Sequence, residues 1–257
     1  MSVRGLALLL AAWAAPACAI DISTPNPPKS GVEFQSADVQ ALQRDDFANP
    51  GMLWVSRGER LWSDAPAQSP SCSSCHGDGK RSMKGVAARY PKHDPALGRV
   101  VDLEGRIRAC ASGNQKRAAP AYESDELLSL TAYVAHQSAG QAPAVSVEGA
   151  GSAAFERGRK LYFERQGQFN LACNQCHDRN WGGKLLAEKI SQGHPVDWPA
   201  YRFEWQSLGS LQRRLRACYF GVRAEQPPFG SADLVALELY LAARARGLPA
   251  SPPGVRK

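Results

Sequence analysis

Two copies of the pattern Cys-x-x-Cys-His, at residues 72–76 and 173–177, constrain this 257-residue chain more than any other feature. The spacing lets two thiols form thioethers with the vinyl groups on one porphyrin edge, and the adjacent histidine then ligates the iron. A thioredoxin-like redox pair would need a βαβ context, and a zinc site would need further ligands at short spacing. We therefore predict two covalently bound haem c groups. The predicted haem-binding residues are Cys72, Cys75 and His76 for the first haem and Cys173, Cys176 and His177 for the second.

The two motifs lie at equivalent places in two stretches that resemble each other. In each stretch an Arg-x-Arg-Ala-Cys pentapeptide follows the motif, and a closing segment begins at a serine suited to cap a helix, Ser124 or Ser231. Apolar residues at helical spacing predict helices before and after each motif, and strand patterns are sparse. We expect a mainly α protein with two tandem c-type cytochrome domains from an internal duplication.

The N-terminus has the pattern of an export signal. Residues 1–19 contain Arg4, a short apolar run and an Ala-x-Ala site, which predicts a secretory signal peptide. A lipid-modified Cys18 is the alternative, which Pro16 disfavours. No later stretch is apolar enough to cross a membrane. The predicted divisions are the signal peptide over 1–19, an irregular N-terminal arm over 20–50, a first cytochrome c domain over 51–140, a flexible linker over 141–152, a second domain over 153–248 and a loose tail over 249–257.

Each haem iron also needs a distal ligand or an open position, and two cysteines remain for this role. The second half contains no methionine, since the three methionines are Met1, Met52 and Met83. The element that both halves repeat after the proximal histidine is Arg-x-Arg-Ala-Cys. We therefore predict Cys110 as the distal ligand of the first iron and Cys218 as that of the second. A disulfide between these two thiols, or inert burial, is the alternative.

Arginines precede the second of these cysteines. Arg213, Arg214 and Arg216 lie just before Cys218, and guanidinium groups bind oxyanions through paired hydrogen bonds. A solvated helix face is the alternative reading. Next to a reactive sulfur, such a cluster suits a small sulfur oxyanion such as thiosulfate. The formal net charge of +7 is too diffuse for nucleic acid, and no basic run is interleaved with aromatic residues.

The paired motifs, each followed by an arginine-rich segment that ends in a lone cysteine, resemble SoxA, the dihaem subunit of the SoxAX complex of the thiosulfate-oxidising Sox system. The resemblance covers nearly the whole mature chain, and its most specific part is "RRLRACYFG" at residues 213–221. It implies that Cys218 ligates a catalytic haem and carries a persulfide, that Arg214 is an active-site residue, and that Cys110 ligates the first haem.

The resemblance also implies an activity, a location and partners. The activity is that of an L-cysteine S-thiosulfotransferase, which joins thiosulfate to a cysteine of the carrier SoxYZ and passes two electrons to a soluble cytochrome c. The protein would work in the periplasm as a heterodimer with SoxX, a monohaem cytochrome c. The alternatives are a dihaem thiosulfate dehydrogenase that forms tetrathionate and a dihaem electron-transfer cytochrome. Both typically use methionine ligands, which the second half lacks.

Overall fold

The computed structural model of the chain describes residue 22 and residues 24–65 and 68–257, so the predicted signal peptide lies outside the described residues. Within these residues the fold is rich in helix, which confirms the prediction of a mainly α protein. The helices are α1 Ala37–Arg44, α2 Met52–Ser63, α3 Cys72–His76, α4 Gly79–Ser82, α5 Leu103–Gly113, α6 Asp125–His136, α7 Ser152–Phe163, α8 Cys173–His177, α9 Leu211–Gly221 and α10 Ala232–Arg244. The strands are β1 Lys92–Asp94, β2 Arg99–Val101, β3 Lys184–Leu185, β4 Glu188–Lys189, β5 Ala200–Arg202, β6 Ser207–Gly209 and β7 Gly254–Arg256.

Two pairs of packed helices form the main cores. Helix α2 packs on α6 in the first half, and α7 packs on α10 in the second. Both closing helices begin where the sequence predicts, because Ser124 accepts a hydrogen bond from the Leu127 amide and Ser231 accepts one from the Leu234 amide, each at 3.3 Å. The apolar faces of these helices are buried, as their helical spacing requires.

A short hairpin precedes each of the two helices that carry Cys110 and Cys218. In the first, β1 pairs with β2 in the register Lys92↔Val101, and in the second β5 pairs with β6 in the register Ala200↔Gly209. Each hairpin leads directly into a helix, α5 or α9, whose N-cap side chain accepts an amide hydrogen bond. The two hairpin–helix units therefore present their cysteines from equivalent positions.

The C-terminal segment differs from the expected loose tail. Strand β7 is buried and pairs in parallel with β5, and the Arg256 guanidinium pairs with the carboxylate of Asp197. Prolines obscured this strand in the sequence, because a short segment among prolines has no alternating pattern. The N-terminal arm also contains structure, since residues 31–34 form a 3-10 helix and α1 packs against β7. The expectation of a loose tail is therefore wrong for residues 254–256.

The segment between the halves is also packed. Val145 and Val147, within the predicted linker, are buried in the core of the second half. The linker therefore does not act as a free tether, and the halves are held by contacts as well as by the chain. Across the described part of the chain, no helix combines the length and apolar character needed to span a membrane.

Candidate active site

The second Cys-x-x-Cys-His motif forms a single helical turn, α8, that presents its histidine in a fixed orientation. Nδ1 of His177 lies 2.7 Å from the carbonyl oxygen of Ser191. Because a carbonyl can only accept, this nitrogen is the donor, which leaves Nε2 available for an iron. Gly193 lies against the ring, where an added Cβ would be 3.1 Å from Cγ of His177. The local chain thus cradles the imidazole in the manner of a metal-ligating histidine.

Cys218, on helix α9, faces the same histidine. Burial alone would raise the pKa of the Cys218 thiol, but the Arg214 guanidinium, a hydrogen bond with His177 and the charge of Arg202 together lower the pKa to about 7. A substantial fraction is therefore thiolate at neutral pH. The thiolate is the form that ligates metals and attacks sulfur.

The two thiols of the second motif lie near Cys218. Burial, together with the neighbouring charge of Cys218, raises the pKa of Cys173 to about 12. Burial and the same neighbour also raise the pKa of Cys176. All six cysteines that the structure describes are free. The disulfide alternative for Cys110 and Cys218 is therefore not what the structure contains, since each thiol lies with the motif of its own half.

The first motif forms the corresponding turn, α3, in a different environment. The ring of His76 lies 5.7 Å from that of Trp62, whose Nε1 donates to the carbonyl oxygen of Gly77. Burial raises the pKa of Cys72, and the charge of Cys110 adds to this effect. A cavity of about 180 Å³ adjoins Cys72. The structure thus brings Cys110 close to Cys72 of the first motif.

The three arginines on α9 have different surroundings. Nη2 of Arg214 lies 3.9 Å from Oε2 of Glu188, and this arginine acts directly on the Cys218 thiol. Arg213 stacks over the Trp205 ring at 4.2 Å. The predicted role in anion contact therefore fits Arg214 better than Arg213, because Arg214 acts on the Cys218 thiol whereas Nη1 of Arg213 lies 3.9 Å from Oε2 of Glu123.

Arg216 is engaged in a stack between the halves. Its guanidinium lies 4.4 Å from the Phe229 ring and donates to the carbonyl oxygen of Pro227. Phe229 stacks on Tyr122 with ring centroids 5.9 Å apart, and the Arg108 guanidinium lies 4.4 Å from the Tyr122 ring centroid. This four-layer stack joins α5 to α9, so Arg216 supports the helix that carries Cys218.

One residue near Cys218 was missed by the sequence analysis. Arg202 ends strand β5, its side chain is only 4% exposed, and its charge lowers the pKa of Cys218. A single arginine before a turn carries no recognisable pattern. Alignment of the two halves gives no signal for it either, because the matching position in the first half is Asp94.

These residues fit covalently bound haem. Each motif turn places two free thiols and a histidine beside a third cysteine, and the His177 ring is oriented by a backbone carbonyl. A helix-rich fold with such motif turns defines a c-type cytochrome, a class that carries covalently attached haem c.

Comparison with known proteins identifies the family. The family model described as "SoxA/TsdA, cytochrome c domain" matches residues 57–142. The chain is 37% identical over 230 residues to the L-cysteine S-thiosulfotransferase subunit SoxA of Pseudaminobacter salicylatoxidans, covering 89% of this chain and 80% of that protein. The corresponding subunit of Rhodovulum sulfidophilum is 34% identical with the same coverage. This chain belongs to the SoxA family.

A solved structure agrees with this assignment. The crystal structure of SoxXA from P. pantotrophus contains a chain that superposes with a TM-score of 0.86 at 33% sequence identity. The match covers 90% of this chain and 87% of that one. The helix-rich cytochrome c fold predicted from the motifs is therefore confirmed by a homologous structure.

Proposed function

We propose that this chain is the SoxA subunit of a periplasmic L-cysteine S-thiosulfotransferase, which joins thiosulfate to a cysteine of the carrier SoxYZ. The observation that carries the proposal is the placement of Cys218. Its thiol meets His177 of the second motif, with Arg214 beside it. A sulfur nucleophile next to an electron-accepting centre and a fixed cation is the arrangement that oxidative coupling to a sulfur oxyanion requires.

The cofactors follow from the same placement. Two haem c groups would be held by thioethers from the two motifs, with His76 and Cys110 available to bind the first iron and His177 and Cys218 available to bind the second. Bound haem would supply the acceptor for the two electrons, which would pass to the partner SoxX and then to a soluble cytochrome c. The first haem has a structural role. Two tandem domains, over 51–140 and 153–248, arose by duplication, and a signal peptide over 1–19 directs export.

The proposed reaction has two steps, an oxidative coupling and a transfer to the carrier. Cys218 carries a persulfide, and its terminal sulfur bonds to the outer sulfur of thiosulfate with the loss of two electrons. The carrier thiolate then attacks that outer sulfur, which forms the carrier S–S bond and returns the persulfide. The net change consumes one carrier thiol and one thiosulfate and yields the S-thiosulfonate, one proton and two electrons. Arg214 holds the sulfonate end through paired hydrogen bonds during both steps.

The decisive experiment compares Cys218→Ser with Cys110→Ser in the complex with SoxX. Cys218→Ser removes the sulfur that bonds to thiosulfate, so we expect loss of carrier- and thiosulfate-dependent cytochrome c reduction. The intact mass should still report two haems, because the motif cysteines are unchanged. Cys110→Ser should change the spectrum of the first haem and keep most of the transfer activity. Full activity in Cys218→Ser would contradict the proposal.

A further inference from the structure

The two hairpin–helix units differ by a reversal of charge. Asp94 and Arg202 occupy the same place in the two registers, at the end of β1 and of β5. In the first half, Nη1 of Arg106 lies 3.1 Å from Oδ2 of Asp94. Arg106 precedes Cys110 by the same spacing with which Arg214 precedes Cys218. A resident carboxylate thus neutralises the first-half arginine, whereas the second half offers a second guanidinium instead.

The second guanidinium is held away from water. The Arg202 side chain is 4% exposed, and its buried Nε has no hydrogen-bond partner. Its charge and that of Arg214 both act on the Cys218 thiol. Two neighbouring cations, one of them buried, are costly unless an anion lies between them. An anion bound beside Cys218 would therefore stabilise these two cations.

In this structure the anion is the carboxylate of Glu188. Its Oε1 lies 2.6 Å from Nη2 of Arg202, and its Oε2 lies 3.9 Å from Nη2 of Arg214. Arg202 shares the same Nη2 with Glu204 at 2.9 Å. Each carboxylate oxygen of Glu188 thus pairs with a different arginine, as two oxygens of a bound oxyanion would.

Glu188 is carried by a short and exposed hairpin. Strands β3 and β4 contain two residues each, and Leu186 at the turn is 95% exposed with a left-handed φ of 53°. Glu188 itself is 38% exposed, so its ion pairs are weakened by water. A small dianion can compete with one carboxylate on so short a hairpin at little structural cost.

We propose that Arg202 and Arg214 form a two-guanidinium clamp for the sulfonate end of thiosulfate, and that Glu188 occupies the clamp until the substrate displaces it. This inference rests on the proposed function, since it names the groups that select its substrate. Bound in this way, thiosulfate has its oxygens on the arginines and its outer sulfur free to meet Cys218. The first half cannot bind substrate equivalently, because Asp94 occupies the position of Arg202 and the second guanidinium is missing.

The first test removes the competing carboxylate. In the holo complex with SoxX, we expect Glu188→Gln to bind thiosulfate about three-fold more tightly, as loss of a half-exposed ion pair implies. Binding of unreactive sulfate should tighten as well. The dissociation constants are measured by titration calorimetry without carrier, and KM by cytochrome c reduction. Asp94→Asn, the analogous change in the first half, should alter neither. Unchanged or weaker binding in Glu188→Gln would overturn the displacement.

The second test removes the buried guanidinium. Arg202→Gln should weaken thiosulfate and sulfate binding about ten-fold or more, and Arg202→Lys should restore part of the affinity because it keeps the charge. The electron paramagnetic resonance of the oxidised haems should remain that of the wild type. If the Gln variant binds both anions as the wild type does, or if its haem signal changes while anion binding is retained, Arg202 serves another group and the clamp is wrong.

The two proposals fail differently. If the wild-type complex transfers no thiosulfate to carrier but the Glu188 and Arg202 variants shift sulfate binding as expected, the proposed function is wrong and the clamp stands. If transfer is normal and none of these variants changes anion binding or KM, the clamp is wrong and the function stands.

Discussion

Buried carboxylates lie at the seam between the halves. Glu104 and Glu238 line one cavity of about 130 Å³ together with Asp102. Burial raises the pKa of Glu104 well above its usual range, and the neighbouring charges of Asp102 and Glu238 raise it further. Oε2 of Glu104 has no hydrogen-bond partner. The folded protein therefore keeps a proton on the Glu104 carboxyl group, which would lose it in water at neutral pH.

The raised pKa of Glu104 makes the free energy of unfolding depend on pH. Below the unfolded-state pKa of Glu104, both states are protonated and no stability is lost. As pH rises above about 4.5, the unfolded chain releases the proton and the folded chain keeps it, so the free energy of unfolding falls. Glu104→Gln removes this loss, and we expect a gain of about 1–3 kcal/mol at pH 7. Urea unfolding between pH 5 and 8 measures it. Exposed Glu148→Gln is the control, and an unchanged pH slope in Glu104→Gln would contradict the assignment.

At the scale of elements, glycines set the spacing of the helix pairs. A Cβ at Gly58 would collide with the carbonyl oxygen of Ser129, and one at Gly158 would collide with that of Ala236. Both obstacles are backbone atoms of the partner helix, which cannot move without separating the helices. The two halves thus use the same device at α2–α6 and α7–α10.

We expect Gly158→Ala to lower the free energy of unfolding by about 3 kcal/mol, as overpacking against a rigid backbone does. Gly113→Ala, also in a helix, is the control, because a Cβ there meets nothing within 4 Å. It should be neutral or stabilise by up to about 1 kcal/mol through helix propensity. Thermal and urea unfolding measure both changes. Equal effects of the two substitutions would show that the close approach of α7 and α10 is unimportant.

At the scale of the whole molecule, one buried carboxylate joins distant parts of the chain. Asp197, whose side chain is 1% exposed, pairs with Arg256 of β7. It also accepts hydrogen bonds from Ser30 at 2.7 Å and Ser251 at 2.9 Å. The N-terminal arm, the second half and the C-terminus are thus tied to a single side chain.

We expect Asp197→Asn to lower the free energy of unfolding by about 3–5 kcal/mol, because it leaves the Arg256 cation buried without its counter-ion. The matched control is Asp233→Asn, which breaks the exposed pair with Arg157. That loss should stay below about 1 kcal/mol, since water screens the pair. Urea unfolding of both variants tests the contrast, and similar losses would contradict the role of Asp197.

Features that depend on local spacing could be read from the sequence alone. Thioether attachment requires two thiols and a histidine within five residues, so the motifs at 72–76 and 173–177 predicted haem c without any tertiary information. The serine caps at Ser124 and Ser231 and the helices that follow them were equally local. The family resemblance rested on the same kind of short pattern, above all residues 213–221.

Contacts between residues that are far apart in sequence were decided by the tertiary structure. Arg202 lies near Cys218, and Glu188 pairs with Arg202 and Arg214, only because two hairpins and a helix converge, and neither residue belongs to a sequence pattern with that cysteine. The buried strand at residues 254–256 depends on a partner strand far away in sequence. A haem attachment motif consists of five consecutive residues and can be recognised in the sequence. The charges around the Cys218 sulfur, in contrast, come from the packing of segments that are far apart in the sequence.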